Sequence, residues 1–262
     1  FRAHEGDDPN EFPEQVHGNF KLEIAWTILP AVVLGVIGII TVVTIFDLAQ
    51  KPKADALQVE IYGQQWWWEY RYDLNGDGTY DEIVTANDLV IPAGEDISLH
   101  IKSRDVIHSW WAPALNGKKD AVPGRTHPLT INADKPGEYI GQCTEFCGLS
   151  HARMRQAAVA LEAADFQTWV TNQTADYVAP EADTLAATGE ATFVAQCSRC
   201  HQVNDLLSPD GTPVLAEPDL YVVSGAAPNL SKLMTRTAFA GWTFDLISAE
   251  CRDKLWNAPP DE

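Results

Sequence analysis

The sequence predicts a membrane-anchored all-β protein with a small all-α domain behind it. Three observations predict this. A charge-free apolar run of about 23 residues (24–46) lies near the start of the 262-residue chain, and about 20 such residues cross a bilayer. Short alternating segments with turn signals between them fill residues 57–161, the pattern of a Greek-key sandwich or barrel. From Gly189 the pattern becomes helical, around residues 190–197. The expected organisation is an N-terminal segment (1–22), a transmembrane helix (23–49), a β-sandwich domain (50–170), a linker (171–188) and a small helical domain (189–262).

Residues 1–20 are acidic, contain Pro9 and Pro13, and show no period. The apolar run includes Pro30, Gly35 and Gly38, which membrane helices tolerate. Trp26 sits near one end, where aromatic belts lie. The run is too long for a signal-peptide core, and no small-residue cleavage site follows it. Flanking charge does not orient it: Arg2 and Lys21 precede it, Lys51 and Lys53 follow. Strands are expected at 59–62, 66–72, 89–91, 97–101, 129–131 and 157–161. The segment Asp73-Leu-Asn75-Gly-Asp77-Gly78 resembles the start of a calcium loop, but the twelfth position, where an EF-hand needs glutamate, is Val84. A hairpin turn is the expectation there. Residues 165–173 read as a short helix, and 174–188, rich in Ala, Asp, Glu and Thr, as linker.

The net charge is −19, from 37 acidic and 18 basic side chains. That is the wrong sign for binding nucleic acid. It suits a basic partner, or simply a soluble surface. Four of the five cysteines form close pairs, Cys143/Cys147 and Cys197/Cys200, each followed by a histidine; Cys251 stands alone. Disulfides need no such histidine, whereas metal and haem sites do. Met154 and Met234 are the only methionines, which marks each as a candidate soft ligand.

The loop Gly141-Gln-Cys143-Thr-Glu145-Phe-Cys147-Gly-Leu-Ser-His151-Ala-Arg-Met154 collects ligands suited to copper. Two thiolates can bridge two copper ions, each then taking one imidazole. Met154 would weakly ligate one ion, and a backbone carbonyl near Glu145 the other. The second imidazole must come from outside the loop. His108 is the best placed, because it follows a strand and precedes a Pro-containing loop, at the same end of a cupredoxin Greek-key sandwich as the cysteines. His127 and His100 compete; His100 lies inside a strand between Leu99 and Ile101, which favours a structural role. Zinc accepts two Cys and two His but leaves Met154 without a purpose. A disulfide would ignore both His and Met. Bridging thiolates must lose their protons, so copper loading is expected to depend on pH. Cys197-Ser-Arg-Cys200-His201 fits covalent attachment of haem c; a thioredoxin-like pair would need a βαβ pattern, and none surrounds it.

These motifs, with Gly63-Gln-Gln65-Trp66-Trp67-Trp68, Asp105-Val-Ile-His108-Ser-Trp110 and Asp120-Ala-Val-Pro123-Gly124-Arg125, resemble subunit II of the haem–copper cytochrome c oxidases. The stretch from His17 to Pro30 resembles the start of that family's second membrane helix. The resemblance implies copper ligation by His108, Cys143, Glu145 through its carbonyl, Cys147, His151 and Met154. It implies that the Glu145 carboxylate reaches a magnesium ion at the subunit I interface. It implies that Trp66 receives electrons and that Glu23 stands at the mouth of a proton path, where the bland reading is an interfacial charge. Gly189, Phe193 and Ala227-Pro228-Asn229-Leu230 resemble the surroundings of haem in small c-type cytochromes, which adds a fused cytochrome c-like all-α domain.

By resemblance, electrons pass from cytochrome c or a cytochrome bc-type complex through haem c and the dicopper centre to subunit I, which reduces oxygen and pumps protons. Subunits I and III and the lipid bilayer are the implied partners, with both soluble domains on the outer side of a bacterial inner membrane. The family's axial methionine falls later than Met234, so the chain is expected to continue beyond residue 262, as it is before residue 1; Met234 is the alternative sixth ligand. The competing function is the dicopper domain of another reductase, such as nitrous oxide reductase. A non-redox copper-binding module is opposed by the apolar run and the haem motif.

Overall fold

The computed structural model describes residues 17–198, 200–203, 227–245, 248 and 250. Residues 1–16 and Cys251 lie outside the described residues. Contacts divide the chain into two units, 1–50 and 51–262.

The first unit is one helix, α1 (Phe20–Leu48), of 29 residues. At about 1.5 Å per residue it exceeds the roughly 30 Å of a bilayer's hydrocarbon core. It begins before the charge-free run because Asn19 caps it. The Asn19 side chain accepts from the Leu22 amide at 3.2 Å, and the Glu23 carboxylate accepts from the Asn19 amide at 3.1 Å, a reciprocal arrangement akin to a capping box. Large apolar side chains are exposed all round it, as suits a helix immersed in lipid. Pro30 lies inside it without ending it.

The second unit is built on ten strands: β1 (Leu57–Gln64), β2 (Trp67–Asp73), β3 (Ile83–Ala86), β4 (Asp88–Pro92), β5 (Asp96–Ser103), β6 (His108–Trp110), β7 (Lys119–Ala121), β8 (His127–Asn132), β9 (Gly137–Gln142) and β10 (Arg155–Leu161). One sheet has the order β3-β2-β1-β5-β8, a second β4-β10-β9, and β6 pairs with β7. The pairs β1/β5 and β4/β10 are parallel. Inward residues of the larger sheet (Val59, Ile61, Ile97, Leu99, Ile101) share one core with Leu89, Ile91, Ala158 and Ala160 of the smaller. Each fully buried Ile or Leu contributes roughly 1.5–3 kcal/mol. Tyr72 ties the sheets together: its hydroxyl donates to the Val90 carbonyl and accepts from the Val90 amide, both at 2.9 Å. Burial pushes its phenol well above the ordinary range.

Strands β3, β6, β7 and β9 were not expected from the pattern. Strands β6 and β7 are three residues long, and β9 carries glycine at both Gly137 and Gly141, so none shows an alternation. Trp66 falls in the turn before β2 rather than in the strand. Trp67 and Trp68 are both buried, Trp68 within the main core. The expected hairpin turn joins β2 to β3. Asp73 accepts from the amides of Gly76 (2.7 Å) and Gly78 (3.0 Å), and Asp77 from that of Thr79 (2.7 Å).

After the sandwich, α2 (Ala163–Gln173) lays Phe166, Trp169 and Val170 on Val90 and Val159. Helix α3 (Leu185–Thr192) is capped by Thr184 and runs on, with wider winding, to Cys197. Two-residue strands β11 (Ala238–Phe239) and β12 (Phe244–Asp245) form a hairpin that an all-α expectation did not include. It turns through Ala240, Gly241 and Trp242, all in the left-handed region.

Candidate metal centre

Three neighbouring pieces of backbone converge at one end of the sandwich. His108 opens β6, Cys143 follows β9 and Met154 precedes β10. The loop between β9 and β10 is closed by the Cys143 amide donating to the Met154 carbonyl at 2.9 Å, and joined to β6 by Thr144 N–H donating to Ser109 O at 3.0 Å. The side chains of His108, Cys143, Cys147 and Met154 are buried, none more than 3% exposed.

The two thiol sulfurs lie 3.8 Å apart, far beyond a disulfide bond. His108 Nδ1 is 3.9 Å from Cys143 Sγ, and His151 Nδ1 is 3.6 Å from Cys147 Sγ. Met154 Sδ is 3.8 Å from Cys147 Sγ, and the Glu145 carbonyl oxygen 3.3 Å from Cys143 Sγ. All six predicted ligand residues therefore meet. Sulfurs at this separation can both reach an ion at a thiolate bond length of about 2.3 Å, so the donor set fits soft metal ions. The competing histidines are engaged elsewhere: His100 Nε2 with Gln58 Oε1 at 2.8 Å, and His127 Nδ1 with the Asp120 carbonyl at 2.6 Å.

Burial disfavours a thiolate at Cys143, but His108, the Ser109 backbone and Glu145 outweigh it and bring that thiol down to about 7. Burial, then the charge on Cys143, pushes Cys147 up to about 12. The pair gives up one proton easily and resists losing the second, as closely coupled groups do.

Two residues that were not predicted as part of the site hold it in shape. Asp105 Oδ1 sits 2.8 Å from His108 Nε2 and Asp105 Oδ2 accepts from the Gln65 amide at 2.7 Å. That fixes the ring with Nδ1 toward the sulfurs, the outer support a ligating histidine usually has. Gln65 Nε2 donates to the Cys147 carbonyl at 2.7 Å. The spacing Asp-x-x-His was the available signal for Asp105. Trp66 reaches the centre directly, its indole N–H donating to the same Cys147 carbonyl at 3.0 Å. Gly148, at φ +114°, leaves room for that indole: a Cβ there would meet Trp66 Cζ2 and Gln65 Nε2 at 3.1 Å. Around the centre Phe146 and Leu149 (97% exposed) project outward, as does the Glu145 side chain. A second group, Asp73, Asp77 and Glu82, brings oxygens within 4.8 Å of one another, in the hairpin turn already described.

In the C-terminal region His201 Nδ1 lies 2.8 Å from the Pro228 carbonyl, an arrangement in which the N–H donates there and Nε2 can ligate a metal. Leu230 N–H donates to Gln202 O at 2.7 Å. The thiols of Cys197 and Cys200 are free and exposed. This cysteine–cysteine–histidine set fits haem c. Met234 lies in a short 3-10 turn and is 81% exposed.

The family profile described as "Cytochrome C oxidase subunit II, periplasmic domain" matches residues 57–161. A cytochrome c oxidase subunit 2 of Alkalihalophilus pseudofirmus is 35% identical over 235 residues, covering 87% of this chain and 66% of the relative. The chain thus spans just under two thirds of that relative. The subunit 2 of Arabidopsis thaliana is 32% identical over 184 residues, covering 63% of this chain and 71% of the relative. Among solved structures, the periplasmic domain of subunit II of cytochrome oxidase of Bradyrhizobium japonicum is 36% identical, covering 47% of this chain and 96% of that one, with a TM-score of 0.42.

Proposed function

The chain belongs to the cytochrome c oxidase subunit II family, and on that premise we propose that it is the electron-transfer subunit of a terminal respiratory oxidase. In this reading electrons pass from a cytochrome donor by way of haem c and a dicopper centre to subunit I, where oxygen is reduced to water and protons are pumped. The observation that carries it is the pair of buried thiols 3.8 Å apart with an imidazole beside each.

A bound copper pair supplies a one-electron store whose charge change is spread over two ions. His108, Cys143, Cys147, His151 and Met154 would hold it by side chain and Glu145 by its carbonyl. The chain's own contribution is rigidity. Asp105 locks the His108 ring and the Cys143–Met154 backbone bond closes the loop, so little rearranges when charge changes. The Trp66 indole, bonded to the Cys147 carbonyl, suits the place where electrons arrive. The outward Glu145 carboxylate suits a magnesium ion shared with subunit I. Glu23, at the first turn of α1, suits the mouth of a proton path. Cys197 and Cys200 would attach haem c and His201 ligate its iron, with Met234 as the candidate sixth ligand within this sequence.

Helix α1 anchors the chain in a bacterial inner membrane with the sandwich outside. Subunits I and III would be its neighbours there, and cytochrome c or a cytochrome bc-type complex its donor. The reductase alternative is not favoured, since the family membership points to an oxidase. In the assembled complex, Cys143→Ser or Cys147→Ser should abolish the near-infrared absorption of the mixed-valence copper pair and leave the haem c bands. Persistence of that absorption would overturn the dicopper assignment. Absence of haem c bands from the unaltered complex would overturn the haem assignment alone.

A further inference from the structure

Asp88, the first residue of β4, is 2% exposed. Among the described residues, every hydrogen bond to its carboxylate comes from one distant segment. Thr237 N–H donates at 2.9 Å, Thr237 Oγ1 at 3.0 Å and Trp242 Nε1 at 2.7 Å. A carboxylate buried without such donors would be costly, so its placement makes sense only with that segment seated on it. The corner that presents it is fixed. Asn87 is at φ 63°, its N–H donates to the Trp68 carbonyl at 2.9 Å, and its side chain accepts from the Trp68 amide at 3.1 Å.

The segment is held along its length. Trp242 packs on the patch formed by Val90, Val159 and Phe166. Gly241 is buried at φ +65°, and a Cβ there would lie 3.0 Å from the Arg153 carbonyl and 3.6 Å from that of Trp66. The turn thus rests on the peptide of the electron-receiving tryptophan and on a residue between the ligands His151 and Met154. In the other direction the buried Arg236 guanidinium donates to the Asn229 carbonyl, next to the Pro228 carbonyl that orients His201. Gln173, at the end of α2, donates to Thr235 Oγ1 at 2.9 Å. A continuous set of contacts therefore runs from His201 to Asp88.

We propose that Asp88 is a positioning residue that anchors the haem-binding region on the dicopper domain beside Trp66, so that the internal donor delivers electrons from a fixed seat rather than from a swinging tether. The proposal rests on the haem c reading for its electron step, in which one electron leaves the reduced haem and is taken up by the oxidised copper pair. The seat itself does not depend on that reading.

The test uses the assembled complex with Asp88→Ala, Asp88→Asn and Trp242→Phe, the last deleting one donor while keeping an aromatic ring. Hydrogen exchange is followed at residues 227–245, and haem-to-copper transfer after rapid photoreduction. Each buried hydrogen bond lost should raise exchange about tenfold, so Asp88→Ala should speed the Thr237 amide by about 100-fold or more and Trp242→Phe by about tenfold. Transfer should slow and become viscosity-dependent in the Asp88 variants, while the copper and haem absorption bands stay unchanged. Unaltered exchange in both Asp88→Ala and Trp242→Phe overturns the anchor. Faster exchange with an unaltered transfer rate overturns the positioning role. If no haem c is present, the exchange arm still decides the anchor, and only the earlier haem reading fails.

Discussion

Gly63 is the position where one added methyl group should reach the metal centre. A Cβ there would stand 2.9 Å from Cδ2, 3.0 Å from Cγ and 3.1 Å from Cβ of His108, against an ordinary carbon–carbon contact of about 3.5–4.0 Å. Relief needs a shift of about half an ångström, and neither side can give it easily. The His108 ring is held by Asp105 at 2.8 Å and meets the Trp68 indole edge-on, with centroids 5.9 Å apart. The Gly63 backbone is paired with Trp68 on one side and Ser103 on the other. Overpacking of this kind costs about 1–3 kcal/mol, a fall in unfolding midpoint of roughly 4–12 °C for a domain of about 120 residues. The required shift also exceeds the roughly 0.2 Å within which ligand distances hold. Gly63→Ala should therefore lower the midpoint followed by circular dichroism, and reduce or displace the near-infrared copper absorption at equal copper supply. Gly117→Ala, where nothing lies within 4 Å of the new methyl, is the control and should change neither. A Gly63→Ala protein with an unaltered midpoint and spectrum would refute the reasoning that the ring is trapped.

Asp105→Asn keeps the shape of the support but not its charge; copper affinity measured by competition with a chelator should fall about 10–100-fold, with the fold unchanged. Tyr72→Phe removes the hydroxyl that both donates to and accepts from Val90 and should cost about 1–3 kcal/mol in denaturant unfolding. Glu69 is buried, which raises its carboxyl, yet Arg104 and Arg71 outweigh burial and hold it below the usual range. Its stabilisation is therefore present above the unfolded value of about 4.3 and lost as pH falls through the lower folded value. Glu69→Gln should flatten the acid limb of a stability–pH curve while lowering stability at neutral pH by about 3 kcal/mol.

The metal centre was more legible in the sequence than the fold around it. Five of its six ligands crowd into 12 residues, from Cys143 to Met154, and soft ligands at that density have few other uses. His108 is less legible, being 35 positions from Cys143; its signal is the strong strand that precedes it. The supporting role of Asp105 has a weak signal, because a carboxylate three residues before a histidine is common on any loop. The strongly alternating strands β1 and β5 were read from their side chains, whereas β6, β7 and β9 owe their pairing to neighbours already in place. The anchor at Asp88 had no local signal at all, since its partners lie 149 and 154 positions away.

The two parallel pairings carry a consequence for the order of events during folding. Leu57 must find Ile97, and Asp88 must find Ala157; no tight turn can join either pair, because parallel strands need long crossovers. Contacts so distant in sequence make a chain slow to fold. The loop carrying Cys143 to Met154 lies between antiparallel neighbours β9 and β10 and joins β6 through the Thr144 amide and the Ser109 carbonyl, so the ligand contacts run through neither crossover. A change that slows either crossover should therefore delay completion of the sandwich while leaving every candidate metal ligand and its local contacts in place.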